Sequence, residues 1–339
     1  MALEPMARFG NVYASGLLRV SEDLGDLDKG GRWAVALPFK GKPVLAQFAN
    51  WSMTPPRDGM VGTWGGVPID SWRSSVDREG YVRSVERTRE RIAAGDVYQV
   101  NICRVRSAHL PDEADVMALD QLLQQGNPAP FGGAIRIHSE GVNIASASPE
   151  LFLSRQGNIV MSGPIKGTAV DASQLLEKDR AENIMIVDLV RNDLSQCAVT
   201  GSVQAVSLLN VEQHPGLVQL VSKIEATLID GITWRDLFSA TFPPGSVTGA
   251  PKISALEIIE ELEPAPRDFY CGAFGWIDSD KQEATLGVSI RTFWFENEMI
   301  KFGTGAGITW SSDAQAEWEE TELKARKLTD LASKASVGR

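Results

Sequence analysis

The sequence predicts one mixed α/β domain, and three observations lead to this prediction. Segments that alternate between apolar and polar residues, as strands do, occur among segments with helical spacing throughout the 339 residues. Apolar residues make up 43% of the chain, which is enough for a sizeable core. No fixed-period repeat, low-complexity segment or linker divides the chain.

The predicted elements follow one another in mixed order. Residues 1–75 contain short strands and turns, among them WAVALPF and KPVLAQF. A helix is predicted over residues 82–94, with Gly95 in the position of a C-terminal cap, and VYQVNICRV then alternates like a strand. GGAIRI, NIASAS and ELFLSR are further strands, and a long helix follows over 173–196. The segment VSLLNVEQHPGLVQLVSKIEATL mixes strand and loop.

The C-terminal third continues the mixture. TWRDLFSATF is a predicted short helix, and ISALEIIEELE is a helix that ends before Pro264. CGAFGWID and EATLGVSIRTFWF are predicted strands, followed by MIKFGTG and by a final helix over about 313–333. GTGAGITW, just before that helix, is predicted as a glycine-rich turn in which backbone N–H groups can approach an anion.

Composition and charge exclude several classes of protein. The net charge is −11 and no lysine or arginine cluster stands out, so we expect no nucleic-acid partner and no membrane partner. The three cysteines are widely spaced and show no CxxC pattern, which argues against a disulfide framework and a zinc site. The N-terminus lacks a signal pattern and no apolar run is long enough for a membrane helix. We therefore expect a cytoplasmic protein.

Two predicted helices carry carboxylates on one face. Glu317, Glu320 and Lys324 share a face of the last helix, and Asp179 and Glu182 share a face of the helix that continues as the apolar IMIVDLV. One interpretation is a solvated face with internal ion pairs. The other is a site for Mg²⁺, a hard cation that prefers oxygen ligands, because no histidine or cysteine lies near these residues in the sequence.

Other motifs give no catalytic assignment. FPPGSVTGAPK departs from the phosphate-binding GxxxxGK[ST] spacing, and Pro251 removes a backbone donor from it. RND at residues 191–193 is predicted to be structural, as an ion-pair and capping group. None of the three histidines lies near a GxSxG nucleophile elbow, and no cysteine lies in a glycine-flanked turn of the glutaminase type.

Nine segments follow one another along residues 80–330: GDVYQVN, SPELF, GPIKGT, DRAENIMIVDLVRNDL, FPPGSVTGAPK, GAFGWID, SIRT, GTGAGI and AEWEETELKA. Together, and in this order, they resemble the chorismate-utilising enzymes, the family of the anthranilate, aminodeoxychorismate, isochorismate and salicylate synthases. The resemblance implies an α+β fold with two packed, antiparallel-rich β-sheets flanked by helices in a single large domain, with the active site in a cleft between the sheets.

The resemblance assigns a metal site and an acid. Glu182 and Glu320 would be Mg²⁺ ligands, with Asp179 and Glu317 close by through water. The ion would hold the ring carboxylate of chorismate. Glu150 of SPELF would be the general acid that protonates the departing C4 hydroxyl, which requires a raised pKa.

The resemblance also assigns substrate-binding residues. Tyr270 and Arg291 would hold the enolpyruvyl carboxylate, for which the planar guanidinium of arginine is well suited. Gln99 would lie at the position that distinguishes the water-adding members. The remaining residues line the same site, three through backbone amides and two through side chains: Gly167, Gly305, Gly307, Thr168 and Lys324.

Two positions separate the subfamilies. Isochorismate and salicylate synthases carry a lysine where this chain has Gln99, so water addition is not expected. In anthranilate synthases this turn usually reads PIAGT. The PIKGT of this chain resembles the turn of aminodeoxychorismate synthases. Lys166 would attack C2 as the C4 hydroxyl leaves, and ammonia would then attack C4 and expel the lysine. Gln219, where many anthranilate-forming relatives have histidine, agrees with a product that keeps its enolpyruvyl group.

The predicted function is therefore that of an aminodeoxychorismate synthase large subunit, component I, serving p-aminobenzoate and folate synthesis. Its ammonia would come from glutamine through a separate glutaminase subunit. Alternatives that stay open are an anthranilate synthase component I, an isochorismate or salicylate synthase, a catalytically silent member, and a Lys166 that only binds substrate. Residues 1–75 form a shortened N-terminal region, expected to pack on a catalytic domain of residues 76–335. Feedback by tryptophan is not expected, because no LLES-type segment is found.

Overall fold

The chain folds into an antiparallel strand network covered by helices. The computed structural model describes residues 3–54, 61–169, 171, 173, 177–214 and 217–336, with 18 strands and six α-helices among them. The strands are β1 (Met6–Phe9), β2 (Val12–Ser21), β3 (Arg32–Leu37), β4 (Val44–Ser52), β5 (Arg73–Ser74), β6 (Gln99–His109), β7 (Phe131–Ile137), β8 (Val142–Ser148), β9 (Leu151–Gln156), β10 (Ile159–Gly163), β11 (Ile165–Ala169), β12 (Gln204–His214), β13 (Leu217–Thr227), β14 (Gly249–Ala250), β15 (Ala273–Asp278), β16 (Glu283–Val288), β17 (Thr292–Glu296) and β18 (Met299–Ile308). The helices are α1 (Arg78–Ala94), α2 (Val116–Gly126), α3 (Glu177–Ser195), α4 (Trp234–Thr241), α5 (Lys252–Leu262) and α6 (Ala314–Ala332).

The strands form one continuous hydrogen-bonded network with two halves. The first half runs β12–β13–β10–β9–β16–β15–β3–β4–β2, with β11 also paired to β13. The second half runs β7–β8–β17–β18–β6, with β5 and β14 also paired to β6. β1 joins them by pairing with β2 on one side and β7 on the other. Every pairing among the described strands is antiparallel.

The two halves pack face to face around the largest core cluster. Phe274 and Leu286 of the first half lie in the same buried cluster as Ile135 and Trp294 of the second half. A Cβ added at Gly133 of β7 would lie 3.0 Å from the Phe274 ring, which shows how closely the layers approach. The predicted α+β fold of two packed, antiparallel-rich sheets is thus confirmed, and the two sheets are halves of one network.

Helices cover the outer faces. Helices α2 and α6 pack over the second half through a cluster that includes Leu119, Leu328 and Phe302. Helices α1 and α5 pack over β6 and β18 through Val85, Ile258 and other residues of a third cluster. Helix α3 lies against β11 and β13 of the first half. The chain before residue 75 contributes β1–β5 to the network, and the domain boundary near residue 75 stays a prediction.

The helix boundaries follow from their caps. Helix α1 begins at Arg78, before the predicted start at residue 82, because the Asp77 side chain accepts a hydrogen bond from the Gly80 N–H. It ends at Ala94, and Gly95 is its C-terminal cap, as predicted. Gly95 has a left-handed φ of 85°, which glycine adopts without strain. Helix α3 is described from Glu177 to Ser195, and the earlier part of the predicted helix falls partly outside the described residues.

Three predicted segments differ in the structure. GTGAGI is part of strand β18, paired with β6 along its length, so the prediction of a glycine-rich turn was wrong. The described residues of VSLLNVEQHPGLVQLVSKIEATL lie mostly in two paired strands, β12 and β13. EATLGVSIRTFWF splits into β16 and β17 at a bend where Arg291 has a φ of 53°. In the described part of the chain, none of the helices has the length and apolar character needed to cross a membrane.

Candidate functional site

The predicted site residues lie where the two halves of the network meet two helices. Gln99 begins β6, Gly305 and Gly307 lie on β18, and Lys166 lies on β11. Because antiparallel pairing sets Gly307 opposite Asn101, the start of β6 and the end of β18 form one corner of the site. The carboxylates come from α3 and α6, so five elements distant in sequence supply this one region.

Glu150 is a buried acid between β8 and β9. Its side chain is 4% exposed. Burial raises the pKa of Glu150 to about 7, although hydrogen bonds from the Ser246 hydroxyl and the Ile165 N–H and the charge of Lys166 favour the ionised form. A carboxyl group with this pKa holds a proton in about half of the molecules at neutral pH, so it can act as a proton donor.

Lys166 lies beside Glu150 and is held by the same loop. Its ammonium group donates a hydrogen bond to the Ser246 carbonyl oxygen at 3.3 Å. A Cβ added at Gly307 would lie 3.4 Å from Lys166 Nζ, so this glycine leaves the space that the lysine occupies. The charge of Lys166 also reaches Glu182 and Glu320. The lysine therefore connects the acid on one side with the carboxylate helices on the other.

Gln99 is the third member of this corner. It is 1% exposed, and its Oε1 has no hydrogen-bond partner in the part of the chain that the structure describes. A Cβ at Gly307 would overlap Gln99 Nε2. A buried acceptor without a donor is costly unless a ligand or water satisfies it. The Gln99 amide is thus placed to contact a polar ligand group near Lys166.

The carboxylates of α3 and α6 are linked by lysines. Lys178 Nζ lies 3.6 Å from Glu182 Oε1 on its own helix and 3.3 Å from Glu317 Oε1 on α6. Lys324 Nζ lies 2.6 Å from Glu320 Oε1 and donates to the Gly305 carbonyl oxygen at 3.1 Å. Acidic residues of both helices therefore face one region, and lysines balance much of their charge.

Burial and neighbouring charges have opposite effects on the pKa values of these carboxylates and lysines. Burial raises the pKa of Glu182, against the attraction of Lys166 and Lys178. The Lys324 ammonium lowers the pKa of Glu320, since its attraction outweighs the burial of the carboxylate. Burial disfavours the charged form of Lys178, but Glu317 and Glu182 outweigh it and raise the pKa of this lysine. The carboxylates are thus held in surroundings where a cation is strongly favoured.

These side chains could hold a hard cation. Glu182 and Glu317, from different helices, already share the Lys178 ammonium, and Asp179 and Glu320 lie near enough to act on the same charges. Carboxylate oxygens are the ligands that Mg²⁺ prefers. Among the described residues, no three acidic, histidine or cysteine side chains converge closely enough to coordinate one ion as they stand.

Tyr270 and Arg291 lie near the same strands. Tyr270 is 5% exposed, and its ring occupies the space over Gly303 of β18. Burial lowers the pKa of the half-buried Arg291, and its side chain makes no ion pair with a carboxylate in the described residues. A guanidinium that is partly removed from water and has no carboxylate partner is stabilised by an anion, so Arg291 is a candidate binding residue for an anionic ligand.

Two further predicted residues, Gly167 and Thr168, lie on β11. Gly167 has a left-handed φ of 68° in β11, which glycine tolerates, next to Lys166. The backbone of Thr168 pairs with that of Gln219 on β13, but the Thr168 side chain lies outside the description. Gln219 itself is buried and adjoins Leu220, the residue that pairs with Lys166.

Two residues of the region were missed by sequence reasoning. Ser246 contacts both Glu150 and Lys166, and its place in the quoted FPPGSVTGAPK segment was the available signal. No feature of the sequence indicated a role for Lys178, because its ion pair with Glu317 of α6 depends on how the two helices approach one another. The structural interpretation of RND agrees with an ion pair between Asp193 and Lys252 at 2.6 Å.

Comparison with known proteins gives consistent matches. A family model described as chorismate binding enzyme matches residues 53–330. Aminodeoxychorismate synthase component 1 of Escherichia coli strain K12 is 38% identical over 270 residues, covering 76% of this chain and 58% of that protein. Anthranilate synthase component 1 of Thermus thermophilus is 36% identical over 279 residues, covering 79% of this chain and 59% of that protein. The chain thus spans just under 60% of the length of these curated relatives.

Solved structures share the fold. Anthranilate synthase component I from Streptococcus pneumoniae TIGR4 has a TM-score of 0.77 at 22% identity, covering 97% of this chain and 91% of that one. A putative 2,3-dihydroxybenzoate-specific isochorismate synthase from Bacillus anthracis has a TM-score of 0.81 at 21% identity, covering 98% and 97%. At these identities the likeness concerns the fold alone. The family model over residues 53–330 and the relative at 38% identity show that the chain belongs to the family of chorismate binding enzymes.

Proposed function

We propose that this chain is an aminodeoxychorismate synthase component I, which converts chorismate and ammonia to 4-amino-4-deoxychorismate. The observation that carries the proposal is the position of Lys166, next to Gln99 and beside the buried acid Glu150. Two relatives at 38% and 37% identity bear the name aminodeoxychorismate synthase component 1. The lysine supplies a nucleophile, and the glutamine cannot serve as the base that water addition needs.

Substrate binding would use the unpaired cations and the carboxylate helices. Arg291, with no carboxylate partner in the described residues, would bind the enolpyruvyl carboxylate together with Tyr270. Glu182 and Glu320, with Asp179 and Glu317 near them, would hold Mg²⁺. When bound there, Mg²⁺ would neutralise and orient the ring carboxylate of chorismate. The charge contributed by Lys166 and Lys324 would favour the same anionic substrate.

The chemistry follows from Glu150 and Lys166. Glu150, with a pKa of about 7, would donate its proton to the C4 hydroxyl, which leaves as water. Lys166, after its ammonium has released a proton to solvent, would form a bond from its neutral amine to C2 as both conjugated ring double bonds shift and the C4–O bond breaks. Ammonia would then bond to C4, both double bonds would shift back, and the C2–N bond to Lys166 would break. The enolpyruvyl group stays on the product throughout.

The ammonia would come from a separate glutaminase subunit that hydrolyses glutamine. The name component 1 of the curated relatives agrees with a second component. The product would serve p-aminobenzoate and folate synthesis, and a cytoplasmic location stays a prediction.

Anthranilate synthase component I is the second candidate. The relative from Thermus thermophilus at 36% identity bears that name. The two activities differ in product, because an anthranilate synthase releases pyruvate and an aromatic amine. Lys166 favours the first candidate, because anthranilate synthases usually read PIAGT where this chain reads PIKGT. Gln219 favours it as well, because glutamine cannot move the proton that histidine moves when pyruvate is lost.

One assay separates the candidates. The purified chain is incubated with chorismate, Mg²⁺ and ammonium at mildly alkaline pH, and products are identified by mass spectrometry with and without an added aminodeoxychorismate lyase. The proposal requires p-aminobenzoate only when the lyase is present. Anthranilate and pyruvate without the lyase would establish the second candidate, and no consumption of chorismate would indicate a catalytically silent member.

A further inference from the structure

The carboxylate region contains a cation of its own, and this cation bridges the two helices. Lys178 lies in the first turn of α3, with Nζ 3.6 Å from Glu182 Oε1 and 3.3 Å from Glu317 Oε1. Lys324, by contrast, pairs with Glu320 on its own helix. In the described residues, Lys178 is the lysine that holds one carboxylate from α3 and one from α6 together.

The two carboxylates are poorly placed to do without a positive partner. The Glu317 side chain is 5% exposed and that of Glu182 is 14% exposed, so water screens their repulsion only weakly. Removing the partner of a buried charge is strongly destabilising. A cation between these helices therefore stabilises their approach whether or not a metal is present.

A divalent ion and the Lys178 ammonium cannot share this position. Mg²⁺ binds oxygen ligands at about 2.0–2.1 Å. An ion coordinated by Glu182, with Glu317 bound through water, would lie close to Nζ, which is 3.6 Å from Glu182 Oε1 and 3.3 Å from Glu317 Oε1. The two cations would then repel strongly. Lys178 is 39% exposed, and its flexible stem can carry the ammonium into solvent.

We propose that the Lys178 ammonium is the resident counter-ion of the carboxylate site in the metal-free protein, and that Mg²⁺ binds by displacing it. The lysine thus positions Glu182 and Glu317 across α3 and α6 before the metal arrives, and it lowers the affinity for Mg²⁺. The inference rests on the proposed function only in taking these carboxylates as the Mg²⁺ site.

The test measures binding of Mg²⁺ alone to the full chain by titration calorimetry. The variants are Lys178→Met and Lys178→Gln, which remove the charge, and Lys178→Arg, which keeps it. Lys40→Met is the matched control, since it breaks the exposed Lys40–Glu260 pair elsewhere on the surface. We expect both charge-removing variants to bind Mg²⁺ roughly tenfold more tightly, equivalent to about 1.4 kcal/mol. Lys178→Arg and Lys40→Met should bind no more tightly than the unmodified chain.

A second readout is thermal unfolding with and without saturating Mg²⁺. The charge-removing variants should melt below the unmodified chain without Mg²⁺, and Mg²⁺ should raise their melting temperatures by more than it raises that of the unmodified chain. Equal or weaker Mg²⁺ binding by Lys178→Met and Lys178→Gln, or no Mg²⁺ binding by any of the proteins, would overturn the inference. If the activity assay yields anthranilate as the product, the proposed function is overturned, whereas these binding results are unaffected.

Discussion

Glu150→Gln should impair catalysis severely and, at alkaline pH, make the protein more stable. The folded-state pKa of about 7 lies above the ordinary value of 4.5, so between these pH values the folded protein keeps a proton that the unfolded chain has lost. The contribution of Glu150 to the unfolding free energy therefore falls as the pH rises from 4.5 to 7, and it is constant above pH 7. Each pH unit in that window costs about 1.4 kcal/mol of unfolding free energy, giving about 3.5 kcal/mol in total. Glutamine cannot ionise and avoids this cost.

The assay is urea unfolding of both proteins at pH 5 and pH 8.5. The unfolding free energy of the variant, relative to that of the unmodified chain, should rise by about 3 kcal/mol between these pH values. Asp193, whose pKa burial raises to about 6, is shared by both proteins and cancels in the comparison. Glu86→Gln, an exposed carboxylate on α1, should show no such rise. A pH-independent difference for Glu150→Gln would refute the assignment of a buried, protonated acid.

Activity should follow the same ionisation, with kcat/KM decreasing above about pH 7 in the unmodified chain as Glu150 loses its proton. Turnover by Glu150→Gln should be lower by roughly 10²–10⁴-fold at all pH values, because glutamine has no proton to donate. An unaltered pH profile in Glu150→Gln with residual activity would assign the ionisation to another group.

Three further changes test other parts of the site. Lys166→Ala should lower formation of 4-amino-4-deoxychorismate by roughly a thousandfold or more, measured with coupled lyase, and unchanged turnover would show that Lys166 is not the nucleophile. Gly307→Ala should lower both activity and stability, the latter by about 1–3 kcal/mol in urea, because the new Cβ overlaps the Gln99 amide and meets Lys166. Lys252→Met should cost about 3–5 kcal/mol by leaving the buried Asp193 unpaired, and a double variant with Asp193→Leu should recover much of it; a cost as small as that of an exposed lysine would contradict the role of the pair.

Local signals in the sequence predicted much of the fold. Gly95 ends α1 because a left-handed residue is needed there, and helical spacing sets Glu317 and Glu320 on adjoining parts of α6. GTGAGI was mistaken for a turn because its glycines indicate flexibility. In the structure those glycines lie in a regular strand, where Tyr270 and Gln99 use the space that side chains would fill.

The site was less predictable from local pattern than the helices. Glu150 and Lys166 were found through family resemblance, and the structure gives the physical reason, since Glu150 is buried and Lys166 is held beside it. The Lys178 link to Glu317 joins residues 139 positions apart, so no spacing rule along the chain could reveal it. Such contacts depend on how α3 and α6 approach one another in the folded chain.

The position of β1 between β2 and β7 bears on how a substrate enters the molecule. Since this strand hydrogen-bonds to both neighbours, a hinge motion that separated the two halves would break the backbone hydrogen bonds of β1 to β2 or to β7. The halves should therefore stay together through every turnover, and access should depend on side chains and helix ends near the carboxylates. Amide protons of β1 should exchange with solvent as slowly as those of the deepest core, at a rate set by global unfolding and unaffected by chorismate.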